Sequence, residues 1–166
     1  MIELIKVDES HTDFILSLNN DLQFSKSFPR KGDITRKQHL NFLKHLDKKG
    51  DLYYVIRYND KDVGVVSIYD IDNTNKKAEW GRFIVLPEHG SVAFPVSKLI
   101  IKKAFKELKL HKLYAHILTT NPKVVKFNKL LGFKEEGVLK DHYKINGEFV
   151  DVHYLALLNN KGNDDE

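Results

Sequence analysis

Glu79-Trp80-Gly81-Arg82-Phe83-Ile84-Val85, His89-Gly90-Ser91-Val92-Ala93 and the apolar-periodic run from Pro95 to Leu108 decide the fold. The first reads as a strand, the second as a turn of small residues and the third as a helix. Leu113-Tyr114-Ala115-His116-Ile117-Leu118 is a second strand, Asn121-Pro122 opens another helix and Leu131-Gly132-Phe133 closes it. A strand, a small-residue loop and a helix in this order aim unpaired backbone N–H groups and a helix N-terminus at one point, where an anion can bind. The stretch therefore points to a ligand that carries phosphate. It also makes the two strands parallel, because residues 86–113 supply the long crossover that a parallel pair needs.

Upstream, Met1-Ile2-Glu3-Leu4-Ile5-Lys6-Val7 alternates like a strand, and Ser10 is placed to cap a helix carrying Phe14, Ile15 and Leu18 on one face. Residues 19–33 read as a polar loop holding Phe24, Phe28 and Pro29, the kind that packs on the core or lines a ligand cleft. Asp33 or Thr35 starts a second helix, with Leu40, Leu43 and Leu46 about one turn apart, and Gly50 ends it. Residues 52–58 and 63–69 are strands joined through Asn59-Asp60-Lys61-Asp62, a hairpin, and 76–86 pairs next. Asn146-Gly147, between strands at 138–145 and 148–155, favours a two-residue type I′ turn. That turn sets Ile145 against Glu148, Tyr143 against Val150 and His142 against Asp151. The sum, β-α-α-β-β-β-α-β-α-β-β, is one α+β domain over 1–158 with a mixed, mostly antiparallel sheet of seven strands and four helices. Residues 159–166 hold no apolar anchor and are expected to be disordered.

Composition narrows the function. Lys+Arg 27 against Asp+Glu 23 gives a net charge of +4, spread along the chain, which argues against a dedicated nucleic-acid binder and suits an anionic ligand. With Cys 0 there is no disulfide, thiolate metal site or cysteine nucleophile. The eight histidines show no metal-ligand spacing, so no metal is expected. The N-terminus lacks the apolar core of a signal peptide and no apolar run approaches the ~18 residues of a membrane span. No membrane association and a cytoplasmic location are the expectation.

Ala78-Glu79-Trp80-Gly81, Leu86-Pro87-Glu88-His89, Ala104-Phe105-Lys106-Glu107-Leu108, Leu110-His111-Lys112-Leu113, Asn121, Leu131-Gly132-Phe133-Lys134-Glu135-Glu136-Gly137 and Asn146-Gly147-Glu148-Phe149-Val150-Asp151-Val152, in this order, resemble the GNAT superfamily of N-acetyltransferases. The resemblance covers nearly the whole chain to about Leu158. It is strongest to the bacterial branch that acetylates ribosomal-protein N-termini, polyamines and nucleotide-linked amino sugars. Within that branch, His39 followed by Phe42, and Gly64-Val65-Val66-Ser67-Ile68 leading to Asp70-Ile71, are similar to enzymes acting on the 4-amino group of a nucleotide-linked deoxyamino sugar. The resemblance implies a splayed parallel pair, acetyl-CoA as co-substrate, and direct attack by a small-molecule primary amine in a ternary complex. The acceptor expected is the amino sugar, with a peptide N-terminus or a polyamine as the runner-up, and a homodimer is possible. A polyamine site should collect carboxylates, and the early loop offers only Asp21 and Asp33. A degenerate member that binds coenzyme A without turnover is the alternative from another class.

The same resemblance assigns roles residue by residue. The family's pyrophosphate loop corresponds to Glu88-His89-Gly90-Ser91-Val92-Ala93, with Ser91 in place of a glycine and Glu88 in place of a basic or amide residue. Glu88 is expected to point outward while the N–H groups of Gly90, Ser91, Val92 and Ala93 hold the diphosphate. Ile84, Val85 and Leu86 would hold the thioester end of the arm. Asn121, Val124, Lys126, Phe127 and Asn128 would contact it from the last helix, with Lys123, Lys126 or Lys129 reaching a 3′-phosphate. Asn128 stands where relatives often carry the tyrosine that protonates the leaving thiolate; Tyr143 is a conceivable substitute, although its register places it with core residues. Glu79 is either the carboxylate that takes a proton from the acceptor ammonium or a solvated strand glutamate. Asn121 also reads as a helix N-cap, and His142 with Asp151 as a pair fixing one tautomer or an exposed cross-strand pair. Trp80 and Phe83 read as sheet packing. Phe24, Phe28 and Arg30 are placed to frame the acceptor, and Leu18-Asn19-Asn20 lacks the arginine that relatives carry there.

Overall fold

Strand β4 (Lys77–Val85) pairs antiparallel with β3 (Lys61–Asp72) on one side and parallel with β5 (Lys112–Leu118) on the other, and this junction organises the molecule. The structure is a computed structural model that describes residues 1–26, 28 and 33–160. Its seven-stranded sheet has the order β1-β2-β3-β4-β5-β7-β6, completed by β1 (Ile2–Lys6), β2 (Leu52–Tyr58), β6 (Lys134–Ile145) and β7 (Glu148–Leu158). The helices are α1 (Thr12–Asn19), α2 (Leu22–Ser25), α3 (Arg36–Lys49), α4 (Ala93–Lys102) and α5 (Pro122–Leu130). The fold class and strand count agree with the sequence, but the described residues hold five α-helices because residues 22–25 wind into one turn inside the expected loop. Asp21 caps that turn by accepting from the Gln23 N–H.

Local chemistry explains most boundaries. Asp8, rather than Ser10, caps the 3₁₀ turn that leads into α1, its carboxylate accepting from the Ser10 N–H. Thr35 and Gln38 form a reciprocal cap at the start of α3, and Gly50 ends it at φ +76°, a conformation that costs glycine little. Asn20 closes the intervening segment by accepting from the Ile34 N–H at 2.8 Å and donating to the Ile34 carbonyl at 2.9 Å. The helix expected from Pro95 starts earlier: residues 87–92 already form 3₁₀ turns that run into α4, with Pro87 at the first turn. At the C-terminal end the Asn159 N–H donates to the His111 carbonyl at 2.7 Å, so ordered chain extends past Leu158. Residues 161–166 of the expected disordered tail lie outside the described residues.

Each face of the sheet has its own core. Trp80, Ile68, Val96, Ile100, Leu113 and Phe133 pack on the α4 and α5 side, and Val55, Val65, Ile84, Ile15, Leu18 and Leu46 on the α1 and α3 side. Of the register shifts in the sheet, two decide which side chains face the site. In β4, Val65 faces Ile84 but Ser67 faces Gly81, so Arg82 and Phe83 oppose Val66 alone, and Arg82 is left at φ +48°. The inserted residue puts Glu79 and Arg82 on one face and Trp80 and Phe83 on the other. In β6, Tyr143 faces Val150 as expected, but Leu139 already faces Val152, leaving 140–142 opposite Asp151.

Gly64 faces Val85, at the end of the β3–β4 ladder beyond the bulge. A Cβ there would lie 2.2 Å from the Ile84 carbonyl oxygen and 3.1 Å from Val85 Cα, both backbone atoms that cannot step aside. Gly64→Ala is therefore expected to destabilise the protein by about 1–3 kcal/mol, read as a lowered denaturation midpoint with an unchanged m-value. An Ala variant as stable as the parent would mean that the two strands are not held in this register.

Candidate active site

The ladder between β4 and β5 covers only Lys77–Lys112, Ala78–Leu113 and Glu79–Tyr114. Beyond Glu79 the strands part, and their facing peptide groups have no ladder partner across the gap among the described residues. A cavity of about 580 Å³ opens there, within the range of small-ligand sites. Its apolar side comes from Trp80, Phe83 and Phe127, with Trp80 and Phe83 5.5 Å apart and Phe83 and Phe127 6.4 Å apart between ring centroids. These rings thus line the site as well as pack the sheet.

Glu79 stands at the point of parting and is 9% exposed, which excludes the solvated-strand reading. Its Oε2 accepts from the Tyr69 hydroxyl at 3.0 Å and meets His116 Nδ1 at 3.0 Å. Gly81 makes room for this arrangement, since a Cβ there would lie 2.9 Å from the Tyr69 hydroxyl. Burial, and secondarily the Glu79 charge, push the Tyr69 hydroxyl well above the usual phenol range and Tyr114 up to about 12. Burial followed by Glu79 also raises Tyr143. The hydrogen bond to Glu79 raises His116, whereas burial and then Arg36 lower the fully enclosed His39. Neutral hydroxyls and one cation-capable imidazole therefore surround a single carboxylate.

The structure gathers many of the expected residues around the cavity and displaces others. Glu79, Ile84, Val85, Ala93, Asn121, Val124, Phe127, Asn128, Phe24 and Phe28 line it. Leu86 turns into the core beside α1 and α3, Val92 is buried in the opposite core, Gly90 and Ser91 lie exposed at the start of α4, and Lys126 points to solvent while Lys123 reaches the cavity rim. Glu88 is exposed, as its charge requires. Arg30 lies outside the described residues. Asn121 does hold the N-cap position of α5, its carbonyl accepting from the Val125 N–H at 3.3 Å, but its side chain makes no capping hydrogen bond among the described residues and lines the cavity. Asn128 donates to the Val124 carbonyl at 2.9 Å, and its buried Oδ1 has no hydrogen-bond partner among the described residues.

Two further expectations are corrected by the β6 bulge. Asp151 accepts from the Asp141 N–H at 2.8 Å and pairs with Lys140 at 3.1 Å, so it does not orient His142. His142 instead stacks on His116, rings 5.8 Å apart and 9° from parallel. Tyr143 is half-buried on the cavity wall rather than in the core. His116 and Arg82 were missed in the sequence; counting two residues along β5 from Tyr114 puts His116 on the Glu79 face, whereas Arg82 depends on the bulge.

The site fits acetyl-CoA by shape and polarity: a slot between parting parallel strands, a largely apolar wall and α4 beginning at its mouth with Ala93. Residues 13–154 match the family described as the acetyltransferase (GNAT) domain, so the chain belongs to that family. The spermidine N(1)-acetyltransferase of Vibrio cholerae is 32% identical over 123 residues, 71% of this chain and 69% of that enzyme. A crystal structure of spermidine N-acetyltransferase from Vibrio cholerae with CoA and spermine superposes with a TM-score of 0.86 at 27% identity, covering 95% of each chain. The acetyltransferase PseH of Campylobacter jejuni is 28% identical over 121 residues, 72% of this chain and 69% of that one. The chain is an acetyl-CoA-dependent N-acetyltransferase.

His116 supplies a pH test of the geometry. Its pKa is raised on folding, so the native state binds the extra proton and the stabilisation is complete below about pH 6.5. That contribution disappears as pH rises through the folded-state value. His39 has the opposite sign, losing stability as pH falls below about 6.5. Urea unfolding of the parent and His116→Gln from pH 5.5 to 8.5 should show the parent's advantage shrinking with rising pH. An advantage that grows with pH would show that His116 is not bonded to Glu79.

Proposed function

We propose that the chain transfers acetyl to the primary amine of a small metabolite, with Glu79 accepting the proton that the ammonium must lose before it can attack. The observation that carries this reading is the enclosed carboxylate at the parting of β4 and β5, held by Tyr69 and His116. Bound acetyl-CoA would supply an activated thioester, and the chain lacks a cysteine to carry the acetyl group, so attack is direct. Tyr69 and His116 occupy one carboxylate oxygen and leave the other for the amine. Unpaired peptide groups of residues 80–85 on the β5 side are placed to steady charge developing on the carbonyl oxygen. Asn128 cannot donate an acidic proton, while Tyr143, kept protonated by burial, faces the same cavity and is the group available for that role.

Two observations bear on the acceptor. Relatives named for spermidine support a polyamine, and support it better than the nucleotide-linked amino sugar expected from the sequence. The second reading, an acceptor with oxygen-bearing anionic groups, draws on the charges around the cavity: Arg82 and Lys123 against Glu79 alone among the described lining residues.

Thiol release from acetyl-CoA against a panel of amines tests the function. At least one primary amine should release thiol, and Glu79→Gln should lower kcat/KM for that amine by about 10²–10⁴-fold while calorimetric binding of acetyl-CoA persists. Micromolar binding of acetyl-CoA with no thiol release for any amine would establish a CoA-binding module instead.

A further inference from the structure

We propose that Arg82 is the residue that reads the acceptor, binding an anionic oxygen group, carboxylate or phosphate, on the same molecule as the amine that Glu79 deprotonates. The inference rests on the acetyl-transfer reading and decides between its two acceptor classes. It starts from the backbone. Arg82 holds φ +48° in the middle of a strand, a conformation that a side-chain-bearing residue adopts at a cost and that surrounding structure must enforce. The result is to turn Arg82 onto the face of Glu79, three residues earlier, and into the cavity.

Aromatic rings then fix the guanidinium. Its central carbon lies 4.1 Å from the ring centroid of Tyr69, 4.9 Å from Phe42 and 5.9 Å from Tyr53. These contacts are made to ring carbons, which take up none of the N–H donors in a conventional hydrogen bond, so the donors remain for other partners. Among the described residues the edge makes one hydrogen bond, from Nη1 to Ser67 Oγ at 3.1 Å, and no ion pair. A guanidinium carries five N–H donors, so most are free for a ligand. Tyr69 touches both ends of the arrangement, its ring 4.1 Å from the Arg82 guanidinium carbon and its hydroxyl donating to Glu79. The distance between cation and carboxylate is thus set by one rigid ring.

Charge matching selects the ligand. An acceptor whose ammonium lies at Glu79 and whose anionic group lies at Arg82 meets an opposite charge at each end. A polyamine would bring a second cation to Arg82 and Lys123, with no described carboxylate of the cavity besides Glu79 to receive it. The planar fork suits carboxylate or phosphate oxygens in a bidentate contact, which a lysine could not reproduce.

Three amines of similar reach, 3-aminopropanol, 3-aminopropyl phosphate and 4-aminobutyrate, and the longer polycation spermidine test the assignment, followed by thiol release. The parent should favour the phosphate or the carboxylate over 3-aminopropanol by about 10- to 100-fold in kcat/KM, mainly through KM, and the two arms show which anion is read. Arg82→Gln should bring that ratio close to one, and Arg82→Lys should retain part of it. Preference of the parent for spermidine would overturn the proposal. So would an Arg82→Gln variant that slows all four amines equally with a lowered melting temperature, the mark of a packing role. If none is turned over, calorimetric binding of the same amines to the CoA-loaded protein reads the same ranking. Failure of acetyl-CoA itself to bind would remove the acetyl-transfer reading and this inference together.

Discussion

One strand with two incompatible neighbours controls the structure. β4 pairs antiparallel with β3 along its length, following the twist of that hairpin, and parallel with β5 for three residues. The bulge opposite Val66 then bends β4, and Gly64 permits the close backbone approach at Ile84 and Val85 just beyond it. Continued pairing with β5 would need the same strand to follow two directions. The sheet opens instead, and the peptide groups left without partners become the polar part of a site whose walls are apolar. Stability is given up locally, and binding capacity is the consequence.

Chemistry gathers where the pairing stops. Glu79 is the last residue of the parallel ladder, so it is held firmly at its base while its side chain enters the cavity. Tyr69 comes from β3, His116 from β5 and Tyr143 from beyond the β6 bulge, and each is placed by a sheet that was already required for folding. A carboxylate among phenols and an imidazole keeps hydrogen-bond partners while losing most of its water.

Much of the fold was legible because it depends on local rules. Asn146-Gly147 set the hairpin register at Tyr143 and Val150, Gly50 marked the end of α3, and the order of strands and helices followed from periodicity and turn chemistry. What escaped reading came largely from the bulges. Counting by twos along β4 assigns Glu79 and Arg82 to opposite faces, and counting along β6 pairs His142 with Asp151. One inserted residue in β4 and two in β6 reverse or displace those assignments, and neither insertion has a sequence mark that periodicity detects. Glu79 was legible through its resemblance to relatives, while His116 required the register of a non-local parallel pair. The α4 start and the 22–25 turn were missed because 3₁₀ turns and single helical turns leave too short a pattern.

A crystal structure of the protein with CoA is the most direct measurement. The arm bearing the thiol should lie between residues 80–85 and 115–118, with its end near Glu79 and the diphosphate at the start of α4. Density for that arm in the other large groove, about 800 Å³ between α4 and the β6–β7 pair, with β4 and β5 closed on each other, would contradict the role of the parted strands as the cofactor slot.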